Sequence, residues 1–125
     1  MKLSRIHHIA IIASNYEQAK EFYVDKLGFE LIRETKRAND WKIDLRVDDE
    51  TQIELFVKSD APDRSSYPEA CGLRHLAFKV DDVEKAVVAL KEIGIVSEPI
   101  RKDSITAEKM TFFHDPDGLP IEIHE

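Results

Sequence analysis

The sequence predicts an α+β protein built from two tandem βαβββ modules. Three observations carry this: a strand-like run that occurs twice, HIAII from His8 and HLAFK from His75; an amphipathic helical segment after each copy; and a constant spacing between them. His8 and His75 are 67 residues apart, the helix-ending Gly28 and Gly94 are 66 apart, and Glu54 and Glu122, in QIELF and PIEIH, are 68 apart. Three landmarks with so little drift mark an internal duplication.

Residues 6–13 open the chain as a short β-branched strand. Ser14 and Asn15 offer helix caps, and Tyr16, Ala19, Phe22, Tyr23 and Leu27 recur at helical spacing until Gly28 stops the helix. Three strand-like runs follow, FELIRETK, WKIDLRV and TQIELFV, divided by polar turns at residues 37–40 and 48–50. The segment SDAPDRSSYPEACG, residues 59–72, breaks the pattern with proline, glycine and serine and is the one candidate linker. The order then repeats. RHLAFKV is a strand, Asp81 and Asp82 form a cap, VEKAVVALKEIG is a helix, and IVSEPI, EKMTFF and LPIEIHE complete three strands, the last two joined by the turn DPDG. The expected organisation is one domain, 1–125, with module 1 at 1–58, the linker at 59–72 and module 2 at 73–125.

At 125 residues the chain suffices for one packed core. A formal net charge of −7, with no basic run and no aromatic ladder, excludes a nucleic-acid partner, because nothing would attract phosphates. The longest apolar runs fall far short of the about 20 residues needed to span a bilayer. MKLSRIHH lacks the apolar stretch of a secretory signal, so no membrane partner is expected. Cys71 stands alone, without an internal disulfide partner, which fits a reducing cytoplasm.

Strand parity sorts the side chains. Ile9, Ile11 and Ala13 share the face that the first helix should cover, and Ile53, Leu55 and Val57 do the same in the fourth strand. Leu76, Phe78 and Val80 repeat this in the second module, with Ile121 and Ile123 in its last strand. His8, Glu54, His75 and Glu122 therefore all point to the opposite face. Two imidazoles and two carboxylates suit a borderline divalent ion, Ni, Co, Zn, Mn or Fe, better than an all-oxygen Ca or Mg cage or a thiolate zinc site. Singly, each reads as an ordinary hydrogen-bonded or solvated side chain; matched parity and duplicated spacing favour a shared metal role. His7 falls on the helix-facing side and reads as structural, and His114 as a surface turn position. His124 shares a face with Glu122, which leaves a pocket-lining role open, but a frayed terminus is the favoured reading.

HIAIIASNYEQAKEFYVDKLGF, QIELF, GLRHLAFKV and FFHDPDGLPIEI together resemble the vicinal oxygen chelate superfamily over nearly the whole chain, most closely its short glyoxalase I-like, or lactoylglutathione lyase-like, bacterial branch. The resemblance implies the glyoxalase/bleomycin resistance/dihydroxybiphenyl dioxygenase fold, a cupped mixed sheet around one metal per site. Its ligands would be His8, Glu54, His75 and Glu122. It implies a homodimer with sites at or near the interface and nickel or cobalt often preferred over zinc. It further implies a lyase or isomerase acting on a small α-oxo thiol adduct, in which the ion stabilises the enediolate left when a carbon acid loses its proton. Glu122 is then the first candidate base and Glu54 the second.

The pattern departs from glyoxalase I at two points. That enzyme typically has arginine four residues after the first histidine and asparagine four after the first glutamate, both holding the glutathione end; here the residues are Ile12 and Lys58. An apolar Ile12 cannot pair with a carboxylate, and Lys58 could do so only as a single point charge, so glutathione itself is in doubt as the substrate. Arg33, Arg46, Lys58 and Lys79 are alternative anion contacts, with solvated surface charge the favoured reading. Other readings within the superfamily are an Fe(II) extradiol dioxygenase, a coenzyme A thioester epimerase, a thiol transferase, or a non-catalytic small-molecule-binding protein. A fourth protein ligand, Glu54, weighs against dioxygen chemistry, which needs that position open.

Overall fold

The computed structural model describes residues 1–125, and the chain divides into two compact units, Met1–Asp63 and Arg64–Glu125. In the first, β1 (His8–Ala13) leads into α1 (Tyr16–Lys20), a π-helical stretch (Glu21–Lys26), and then β2 (Glu30–Lys36), β3 (Trp41–Arg46) and β4 (Gln52–Val57). The sheet order is β1-β4-β3-β2, with β1 and β4 parallel and the other neighbours antiparallel. In the second, β5 (Leu76–Lys79), α2 (Val83–Glu92), β6 (Arg101–Lys102), β7 (Lys109–His114) and β8 (Pro120–His124) form the sheet β5-β8-β7-β6, again with first and last strands parallel. Each unit is thus a βαβββ motif, and the α+β reading of the sequence holds.

Local chemistry explains the helix boundaries. The Asn15 side chain accepts the Gln18 N–H, and Asp82 accepts that of Lys85, so each helix begins on a side-chain cap. Gly28 and Gly94, at φ of 77° and 79°, end them in the left-handed conformation that glycine adopts without strain. The first helix widens before its end, where Leu27 N–H reaches the Phe22 carbonyl at 2.9 Å, five residues back. This spacing lets Phe22 and Tyr23, adjacent in sequence, both lie buried.

The cores follow the parity read from the sequence. Ile11, Ala13, Ile53, Leu55 and Val57 are buried with Ile43 and Leu45, while His8 and Ile12, alternating with them on β1, are exposed. In the second unit Ile121, Ile123, Phe113, Val83 and Leu90 are buried, and α2 packs on β7 and β8.

Two expectations fail. IVSEPI is not a strand; the short edge strand lies after it, at Arg101–Lys102. Pro99 has no N–H to donate, and the segment is tied to β7 by isolated bonds, from Glu98 N to the Phe112 carbonyl and from Thr111 Oγ1 to the Glu98 carbonyl. His124 is not frayed. It lies in β8, half-buried, beside the Glu125 carbonyl at 2.7 Å. No helix is long and apolar enough to cross a membrane.

Candidate functional site

Parallel pairing of first and last strands sets the chemistry of each unit. In the first, Ala10 is the register partner of Glu54 and His8 that of Gln52, so His8 and Glu54 lie diagonally on one face, with Nε2 and Oε2 3.8 Å apart. In the second, Ala77 pairs with Glu122, and His75, just before β5, brings its Nε2 to 2.9 Å from Glu122 Oε2. Two donors bound cis to one ion at the usual bond length of about 2.1 Å stand about 3 Å apart. The His75–Glu122 spacing matches that value, as it also matches a direct imidazole–carboxylate hydrogen bond, and the His8–Glu54 spacing is slightly open. Glu122 is 8% exposed in its side chain and Glu54 15%, while His8 is 43% exposed and His75 27%. Nearly buried carboxylates beside accessible imidazoles are the donor chemistry that a borderline divalent cation suits.

Neighbouring side chains hold these donors. Lys42 Nζ lies 3.0 Å from Glu54 Oε1, leaving Oε2 toward His8, and the same ammonium reaches Asp44 Oδ1 at 3.0 Å. Asp44, 1% exposed, is the direct β3 partner of Glu54 and also takes Arg33 Nη2 at 2.8 Å. Burial pushes the Asp44 carboxyl up, but Lys42 and Arg33 outweigh it and leave it below its ordinary value. In the second unit the His75 ring meets Phe112 edge-on at 5.1 Å between centroids.

His7 corrects the sequence reading. It precedes β1, is exposed rather than turned toward the helix, and its Nδ1 lies 2.9 Å from Nδ1 of His8. One of the two rings must donate there, so the contact constrains which nitrogen of His8 carries a proton. Three of the four cations considered as anion contacts are paired instead: Arg33 with Asp44, Arg46 with Glu30 at 3.1 Å and Lys58 with Asp40 at 2.8 Å. Arg37 and Lys58 hold the Asp40 carboxyl well below the usual carboxylate range.

Strand parity did not reveal a cavity of about 200 Å³ in the second unit, lined by His75, Phe112, His114, Pro120, Arg101 and the loop from Arg64 to Ala70. His114, read as a plain turn position, is one of its walls. The loop residues sit in the segment read as a linker, and its one arginine, Arg64, carried no periodic signal. Elsewhere, Asp82, Glu84 and Glu125 cluster at the start of α2. Asp82 and Glu125 accept helix N–H groups there, and Glu84 is ion-paired to Lys109, so all three are engaged structurally.

Residues 5–123 match the Glyoxalase/Bleomycin resistance protein/Dioxygenase superfamily. The chain is 54% identical to YwkD of Bacillus subtilis (strain 168), covering 100% of this chain and 99% of that protein. It superposes on the crystal structure of a glyoxalase family protein from Enterococcus faecalis with a TM-score of 0.95, at 54% identity and full coverage of both chains. It is 29% identical to the mitochondrial methylmalonyl-CoA epimerase of Bos taurus, over 98% of this chain and 75% of that one. Fold and sequence agree, and the chain belongs to the Glyoxalase/Bleomycin resistance protein/Dioxygenase superfamily.

Proposed function

We propose that the chain is a divalent-metal-dependent, glyoxalase I-like lyase or isomerase that moves a proton between adjacent carbons of a small α-oxo substrate. The observation that carries this is the His–Glu pair repeated on the parallel strands of each unit, with His75 Nε2 and Glu122 Oε2 at a cis-ligand spacing of 2.9 Å. Under this reading His8, Glu54, His75 and Glu122 are the metal ligands. The ion, when bound, supplies Lewis-acid polarisation of substrate oxygens. Glu122 then takes and returns the proton, because its oxygen lies beside an imidazole that borders the cavity. Glu54 is held by Lys42 and acts as the second carboxylate. Ile12, apolar and 55% exposed, and Lys58, already bound to Asp40, argue that glutathione is not the thiol. The enzyme is proposed to work in the cytoplasm, as a homodimer.

The test is metal uptake followed by proton exchange. Protein dialysed against nickel or zinc and analysed by plasma mass spectrometry should hold about one ion per chain. The combined variant His75→Ala, Glu122→Gln should hold none while keeping its circular dichroism. A fully folded wild-type protein that takes up no divalent ion from this panel would sink the reading. Metal-loaded protein given methylglyoxal with a panel of small thiols should incorporate solvent deuterium into product, with glutathione the poorer thiol.

A second reading, an epimerase of a thioester, is favoured by the Bos taurus relative. It predicts deuterium exchange into a chiral thioester with no change in connectivity, so the same assay run with such a thioester separates the two.

A further inference from the structure

We infer that the cavity of the second unit recognises a small carboxylate, of the 2-oxo or 2-hydroxy acid class, through the guanidinium of Arg101 assisted by Arg64. The inference deepens the proposed function, since His75 lines the same cavity, but its anion contacts stand apart from the metal ligands.

Charge is the first argument. The chain carries a formal −7, yet the cavity lining holds three guanidiniums, Arg64, Arg74 and Arg101, against two carboxylates, Glu69 and Glu98. Arg74 is matched by Glu69 at 2.6 Å. Arg64 is not matched by a carboxylate: its Nη2 donates to the Leu73 and Arg74 carbonyls, both at 2.8 Å, which fixes the loop but leaves its charge uncompensated. Arg101 gives a single contact to Glu98, Nη2 to Oε2 at 3.2 Å, leaving the rest of its fork of donors available. A cationic concavity in an acidic protein concentrates anions.

Geometry is the second. The Arg101 guanidinium carbon lies 5.4 Å from the centre of the Phe112 ring, and the His75 ring meets the same phenyl edge-on at 5.1 Å. Phe112 is therefore a common floor, bringing a planar carboxylate-binding fork and an imidazole of the proposed metal pair to one ring. Stacking also restricts the guanidinium, so less freedom is lost when it binds. An acid bound by Arg101 would share its cavity with the His75 imidazole. Ser65, Ser66 and Tyr67 supply hydroxyl groups around it, and His114 a ring nitrogen.

Size is the third. At about 200 Å³ the cavity is below the usual range of about 300–1,000 Å³ for drug-sized ligands. Its volume suits the anchoring of an acid of a few carbons.

The test uses lactate and its neutral isostere lactamide, with binding followed by saturation-transfer NMR on metal-free and nickel-loaded protein. Lactate should bind the wild type in both forms, and lactamide at least about tenfold more weakly. Arg101→Gln should weaken lactate about tenfold or more, which at about 1.4 kcal/mol per decade is the scale of one charge-assisted hydrogen bond. Arg101→Lys should recover part of the loss, and nickel content should not change in either variant. Equal binding of lactate and lactamide, or lactate binding unaffected by Arg101→Gln in a folded protein, overturns the inference. Nickel uptake that survives such a result leaves the metal reading intact. Arg101-dependent lactate binding to a protein that takes no metal removes the metal reading and keeps the carboxylate site.

Discussion

Replacing Lys42 by methionine keeps the length of the side chain and removes an ammonium lying 3.0 Å from both Asp44 Oδ1 and Glu54 Oε1. Asp44 and Glu54 are direct register partners on β3 and β4, so the change leaves like charges opposite one another. Orphaning a buried charge outright costs about 3–5 kcal/mol; because Asp44 keeps Arg33 at 2.8 Å, about 2 kcal/mol is the expected loss. With a urea slope of about 2 kcal/mol per molar, the unfolding midpoint at pH 7 falls by about 1 M.

The pH dependence fixes the sign. The Asp44 carboxyl is lowered in the folded protein. Its contribution is therefore fully present above the unfolded carboxylate value, about 4, and is lost as pH falls through the lower folded value. The difference between wild type and Lys42→Met should be full at pH 7 and shrink as urea titrations approach about pH 3. An equal midpoint difference at both ends of that range would refute the electrostatic account and leave only lost packing. The same variant should weaken nickel binding about tenfold, since Lys42 orients a proposed ligand carboxylate.

Two further outcomes follow from local hydrogen bonding. Asp115→Ala should cost about 2 kcal/mol in urea unfolding, because the buried Asp115 carboxylate accepts the N–H groups of Asp117 and Leu119 and so builds the DPDG turn. Asn15→Ala should cost about 1 kcal/mol by removing the cap that accepts the Gln18 N–H, with metal content unchanged.

What the sequence made legible was periodic. Alternation along HIAIIA and QIELFV placed His8 and Glu54 on one face and Ile9, Ile11, Ile53 and Leu55 on the other, because a strand has only two faces and water rejects one of the sets. The duplicated spacing then transferred that assignment to His75 and Glu122. What stayed hidden was aperiodic. IVSEPI has strand composition, yet Pro99 and the isolated bonds around Thr111 decide its path. Arg64 and Arg101 give no signal in a window of sequence, since their meaning depends on carbonyls nine and ten residues away and on a ring in a neighbouring strand. The pairing of Lys58 with Asp40 was equally invisible, as it joins a strand end to a turn.

The parallel pairing of first with last strand also carries a temporal consequence. His8 and Glu54 are 46 residues apart in the chain, and His75 and Glu122 are 47 apart, so neither pair can meet until nearly a whole unit of chain has been gathered in. Contacts of such long sequence separation are entropically late in folding. Each imidazole–carboxylate pair is thus a record that its unit has finished assembling.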